Sequence, residues 1–137
     1  MPELIEHIDA IARQRGRAVL YLEFHPTGRA ERADYRYEDD TTRQAVLEWL
    51  ATHGHEWVRC GPFAQPGTMR PYEGQICLGV EFNESLPEYR EVRDYLEFPN
   101  GNMRIAGVRF YLLTLEYAMR NAEHDSPGFW TRWAEQL

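Results

Sequence analysis

RAVLYLEFH, residues 17–25, sets Ala18, Leu20, Leu22 and Phe24 on one side of an extended chain and Val19, Tyr21, Glu23 and His25 on the other. Alternation with a period of two specifies a β-strand with one face turned to a core. The segments on either side decide the fold. Upstream, PELIEHIDAIARQRG (2–16) repeats Leu4, Ile5, Ile8, Ile11 and Ala12 at helical spacing, with Pro2 near its start and Gly16 as its stop. Downstream, PTGRA leads into ERADYRYE (31–38), which alternates through Ala33, Tyr35 and Tyr37, so the two extended runs read as an antiparallel hairpin.

The same grammar continues along the chain. Thr41 and Gln44 fit a capping box behind Glu38, Asp39 and Asp40, opening a helix whose buried stripe is Val46, Trp49 and Leu50. Strands recur at EWVRCGPF (56–63) and QICLGVEF (75–82), separated by the eleven residues AQPGTMRPYEG. Ser85 and Glu88 form a second capping box before a helix striped by Leu86, Tyr89, Val92 and Leu96. Asn100-Gly101 marks a tight turn, which can shorten that helix into a hairpin within 94–107. MRIAGVRFYLL (103–113) is then a strand, Thr114 caps a short helix, and Ser126-Pro127 starts a last helix carrying Phe129, Trp130 and Trp133.

The resulting order, αββαββαβαα, predicts an α+β two-layer sandwich. Its mainly antiparallel sheet has about five strands, with helices packed on one face. A chain of 137 residues fits one domain, 1–137, and no linker divides it. No Gly-rich fingerprint with βαβ alternation supports a dinucleotide site.

Composition removes several function classes. The net charge is −7 and no basic block is dense enough to track a phosphate backbone, which argues against nucleic acid. All fifteen basic residues are Arg, so lysine Schiff-base chemistry and a P-loop lysine are excluded. No apolar run reaches a membrane span, and MPELIEHIDA carries acids where a signal peptide needs bases, so the expectation is a cytoplasmic protein without membrane contact.

Four places hold residues of chemical interest. In HGHEWVRCG (53–61), His53 and His55 share a strand face while Cys60 points to the other, so a regular strand cannot gather the three as metal ligands. Gly54 reads instead as the helix terminator, and neither a metal nor any other cofactor is expected. A symmetric hairpin would set Cys60 opposite Cys77, where a regulatory disulfide is the alternative to the favoured reading of two reduced, partly buried thiols in a reducing compartment. Ser85 and Ser126, the only serines, read as caps rather than nucleophiles. Glu23, His25 and Asp34, with His55, are the candidate acid-base groups, set against the plainer reading of a solvated sheet face with cross-strand ion pairs.

The loop AQPGTMRPYEG is the preferred contact surface, because Met69, Arg70 and Tyr72 are residue types enriched in interfaces. The chain thus reads as a small acidic binding or regulatory protein without catalytic activity, meeting a protein partner or a second copy of itself. The alternative is a small hydrolase or isomerase using the Glu/His/Asp cluster on the polar sheet face.

Overall fold

A computed structural model describes residues 5–26, 35–64 and 72–122. In order the elements are α1 (Ile8–Arg15), β1 (Val19–Phe24), one turn of 3-10 helix (Tyr37–Asp39), α2 (Thr41–Thr52), β2 (Trp57–Arg59), β3 (Ile76–Leu78), α3 (Pro87–Leu96), β4 (Val108–Leu113) and α4 (Leu115–Met119). The strands form one antiparallel sheet in the order β2-β3-β1-β4. The α+β class and the antiparallel sheet expected from the sequence hold, with four strands among the described residues where about five were expected.

Over its described part, residues 35–38, the strand expected at ERADYRYE does not form. Tyr35 and Arg36 lie outside any strand and Tyr37 enters the 3-10 turn, while residues 31–34 lie outside the described residues. β1 instead pairs with β4 along its whole length, from Val19↔Leu113 to Phe24↔Val108, and with β3 at Tyr21↔Cys77 and Leu22↔Ile76. Alternation announces an extended segment, but pairing partners are selected over long range.

Leu20, Leu22 and Phe24 of β1 join Ile76, Leu78 and Val108 under Val46 and Leu50 of α2 and Tyr89, Val92 and Leu96 of α3. A smaller core lies on the other face, where Val19, Cys60, Cys77 and Leu113 meet Ile8, Ile11 and Ala12 of α1 and Ala118 of α4. The principal sandwich is the one anticipated, with α1 and α4 adding a partial layer behind it. Burial on both faces explains why β1 is apolar at Val19 as well as at Leu20 and Leu22.

Helix ends show which local signals prevailed. Gly16 stops α1 at φ 67°, returning its N–H to the Ala12 carbonyl at 2.9 Å. At α2 the cap is Asp40 rather than Thr41: its Oδ1 accepts from the N–H groups of Thr42 (2.9 Å) and Arg43 (3.2 Å). At α3 the expected Ser85 cap is absent; Leu86 precedes the helix and Pro87 opens it, while the Ser85 N–H donates to Asn83 Oδ1. The Asn100-Gly101 turn does form a small hairpin, bridged at Glu97↔Met103, and ends α3 at Leu96. Thr114 caps α4 as expected, its Oγ1 accepting from the Tyr117 N–H. The predicted helix after Ser126 lies outside the described residues.

Candidate functional site

The face of β1 carrying Val19, Tyr21 and Glu23 is covered unevenly. α1 and α4 bury Val19 and Leu113, whereas Tyr21, Glu23 and His25 are only half-buried and Arg109 is exposed. Register sets Tyr21 beside Tyr111 and Glu23 beside Arg109. The two tyrosine rings stack at 5.1 Å and 24°. His25 Nε2 lies 3.2 Å from Glu23 Oε2, and the His25 N–H donates to the Gly107 carbonyl at 2.8 Å. Burial pushes the Tyr21 hydroxyl up to about 12, helped by the Glu23 carboxylate and by Tyr111. Tyr21 and Phe63 both pack against the smaller core, and the Phe63 ring lies 4.8 Å from Tyr117 of α4, which also carries the exposed Met119.

The other acid-base candidates are not gathered with this pair. Asp34 lies outside the described residues. His55 sits on the α2–α3 side of the sheet, with Nε2 2.7 Å from Glu91 Oε1 and its ring stacked on Trp49 at 5.6 Å. Glu23 and His25 therefore meet, and His55 belongs to a separate aromatic group. In that group Trp49 stacks on Tyr95 at 3.9 Å and on His53 at 4.2 Å.

HGHEWVRCG is accordingly a helix-to-strand corner. His53 ends α2, and its Nδ1 is 2.8 Å from the Trp49 carbonyl; Gly54 follows at φ 73°. Among the described residues no three His, Cys, Asp or Glu side chains are grouped to hold a metal ion. Cys77 pairs with Val58, and the Cys60 N–H donates to the Gln75 carbonyl, so the hairpin is shifted by two residues from the symmetric register and the cysteines are not directly opposed. Both are free and buried, and burial raises both thiols, which keeps them protonated and poorly nucleophilic.

Of the loop candidates, Met69 and Arg70 lie outside the described residues. Tyr72 turns inward: its hydroxyl donates to the Gln75 carbonyl at 2.6 Å and lies 3.5 Å from Arg43 Nη2, and its ring meets Tyr37 edge-on at 4.9 Å. Burial pushes the Tyr72 hydroxyl up to about 12 against the opposing pull of Arg43. Arg43 is only 7% exposed; its Nε donates to the Gly74 carbonyl at 3.0 Å and its guanidinium lies over Tyr37 and Phe24. Sequence reasoning missed Arg43. Its spacing of three from Val46 and seven from Leu50 places it on the buried stripe of α2, which was the available signal.

Two clefts of about 300 and 350 Å³ flank His55, Glu56 and Gly79. Glu81 and Glu88 line the first, Arg15 and Trp57 the second, and neither reaches Glu23 or His25. Among the described residues no helix is long and apolar enough to cross a membrane. No protein-family model, no curated protein and no solved structure matches the chain.

Proposed function

We propose that this is a non-catalytic, cytoplasmic binding or regulatory protein, and that the half-covered sheet face is its protein-contact surface. The observation that carries this reading is the pair of aromatic contacts at this margin of α1 and α4, Tyr21 on Tyr111 and Phe63 on Tyr117, with the exposed Arg109 on β4 and the exposed Met119 on α4. Aromatic residues, Met and Arg are enriched in protein interfaces, and the aromatic rings bury large areas at low entropic cost. The raised thiols of Cys60 and Cys77 favour the same reading by withholding the obvious nucleophiles.

The test is affinity capture from a lysate of the cells that make the protein, using wild type and a Tyr117→Ala/Met119→Ala variant. Both side chains are 44% or more exposed, so the variant keeps its core. One partner retained by wild type, lost by the variant and reconstituted with purified components is the expected outcome. Equal retention by both proteins, or no retained protein at all, removes this surface from the function.

A hydrolase or isomerase is favoured by one observation, the 3.2 Å approach of His25 to Glu23 on a half-buried face. A turnover that falls at least a hundredfold in Glu23→Gln would establish that reading and displace the first.

A further inference from the structure

β4 is a sheet edge. Alternate residues of an antiparallel strand direct their backbone groups to the same side, and the His25 N–H bonds the Gly107 carbonyl, so Arg109, Tyr111 and Leu113 bond toward β1. Val108, Phe110 and Leu112 consequently turn their carbonyls outward, with the N–H groups of Phe110 and Leu112. No hydrogen bond joins these groups to another described residue, the Val108 N–H alone bending back to Ile105 at 3.4 Å. The strand itself carries none of the usual protections: VRFYLL contains no Pro, carries one charge and forms a regular six-residue ladder with β1. Leu112 is 42% exposed and Phe110 half-exposed beside the main core.

We propose that the outer edge of β4 pairs antiparallel with β4 of a second copy about a two-fold axis centred on Phe110, continuing the sheet through both molecules. This deepens the proposed binding role and rests on it. A two-fold axis normal to the sheet keeps every side chain on its own face, so only residues of like parity can oppose one another, and the outward backbone groups belong to the even-numbered residues. Centring on Phe110 satisfies both conditions: Phe110 opposes the partner's Phe110 and Val108 opposes the partner's Leu112, which covers the exposed apolar side chains of the edge.

On the other face this register sets a cation against an aromatic ring and opposes no like charges. Arg109, the only charged residue of the strand, has Glu23 beside it on β1 and meets the partner's Tyr111 ring, not a second arginine. Centring on Tyr111 would oppose Arg109 to the partner's Leu113, a residue buried beneath α4. That register forfeits the contact between cation and ring. The two chains each carry −7, a long-range repulsion that moderate salt screens, whereas the edge itself is locally near neutral.

The experiment is amide hydrogen exchange of the full chain over a wide concentration range at moderate ionic strength, with sedimentation equilibrium on wild type and Leu112→Lys. The Phe110 and Leu112 amides are expected to exchange at least tenfold more slowly as concentration rises, while those of Arg109 and Tyr111, already bonded to β1, do not change. Leu112→Lys, an exposed position, should weaken the dimer at least tenfold without altering the monomer's circular dichroism. Concentration-independent exchange at Phe110 and Leu112 overturns the proposal, whether the chain is then monomeric or associates elsewhere. A monomer that still loses its partner in Tyr117→Ala/Met119→Ala removes the self-pairing and leaves the binding role standing; Glu23-dependent turnover removes the binding role instead.

Discussion

Asp9 and Arg13, one turn apart on α1, form an ion pair of 3.2 Å whose side chains are 0% and 7% exposed. Neither charge depends on the other alone. Asp9 Oδ1 accepts the Ala64 N–H at 3.0 Å and Oδ2 accepts from Asn121, while Arg13 donates to the Ala118 carbonyl at 2.7 Å. The pair thus ties α1 to the residues after β2 and to α4, beneath the face proposed for binding.

Asp9→Ala leaves Arg13 buried without its carboxylate and the Ala64 N–H without an acceptor. Removing one member of a buried pair costs about 3–5 kcal/mol, so the urea midpoint should fall sharply. Asp9→Asn, which can still accept from Ala64, should lose less.

Asp40, not Thr41, caps α2, and Asp40 Oδ2 also accepts the Tyr35 hydroxyl at 2.7 Å. Asp40→Ala is expected to destabilise by about 1–2 kcal/mol, the range of a lost N-cap. Thr41→Ala should fall within about 0.5 kcal/mol of wild type, as for surface substitutions generally. Thermal or urea unfolding of the two variants distinguishes the capping residue.

Gly74 adopts φ 93°, and a Cβ there would lie 2.5 Å from Tyr37 Cβ and 3.0 Å from Arg43 Nε. Gly74→Ala therefore adds overpacking to an unfavourable backbone conformation, together about 2–5 kcal/mol. Gly16, at φ 67° with nothing within 4 Å of the same added atom, incurs the backbone cost alone, about 1–2 kcal/mol for Gly16→Ala. The order of their unfolding midpoints tests the difference.

Burial raises the Tyr21 and Tyr72 hydroxyls to about 12 from an ordinary 10.0, and raises Tyr35 in the same direction through burial and its bond to Asp40. In the folded state these groups hold their protons where the unfolded chain has released them. Their stabilisation is complete below pH 10 and is lost as pH rises through about 12. Alkaline titration followed by tyrosinate absorbance should show late-ionising tyrosines accompanied by falling stability. Tyr21→Phe should lessen that fall.

The sequence by itself determined the elements whose signals lie within a few residues: the alternation of β1, the Gly16 stop, the Gly54 terminator, the Thr114 cap and the stripe of α3. Those features are set by backbone sterics and local hydrogen bonds, which travel with the chain wherever it folds. It also put Glu23 and His25 on one face, because strand parity is local. Tertiary structure decided the rest. ERADYRYE alternates, but β3 and β4 flank β1, and competition among strands is not encoded in any one of them. The two-residue offset of Cys60 from Cys77, the separation of His55 from Glu23, and the burial of Arg43 between Tyr37 and Phe24 arise from register and packing across residues distant in the chain. Those contacts are selected only when the whole core closes.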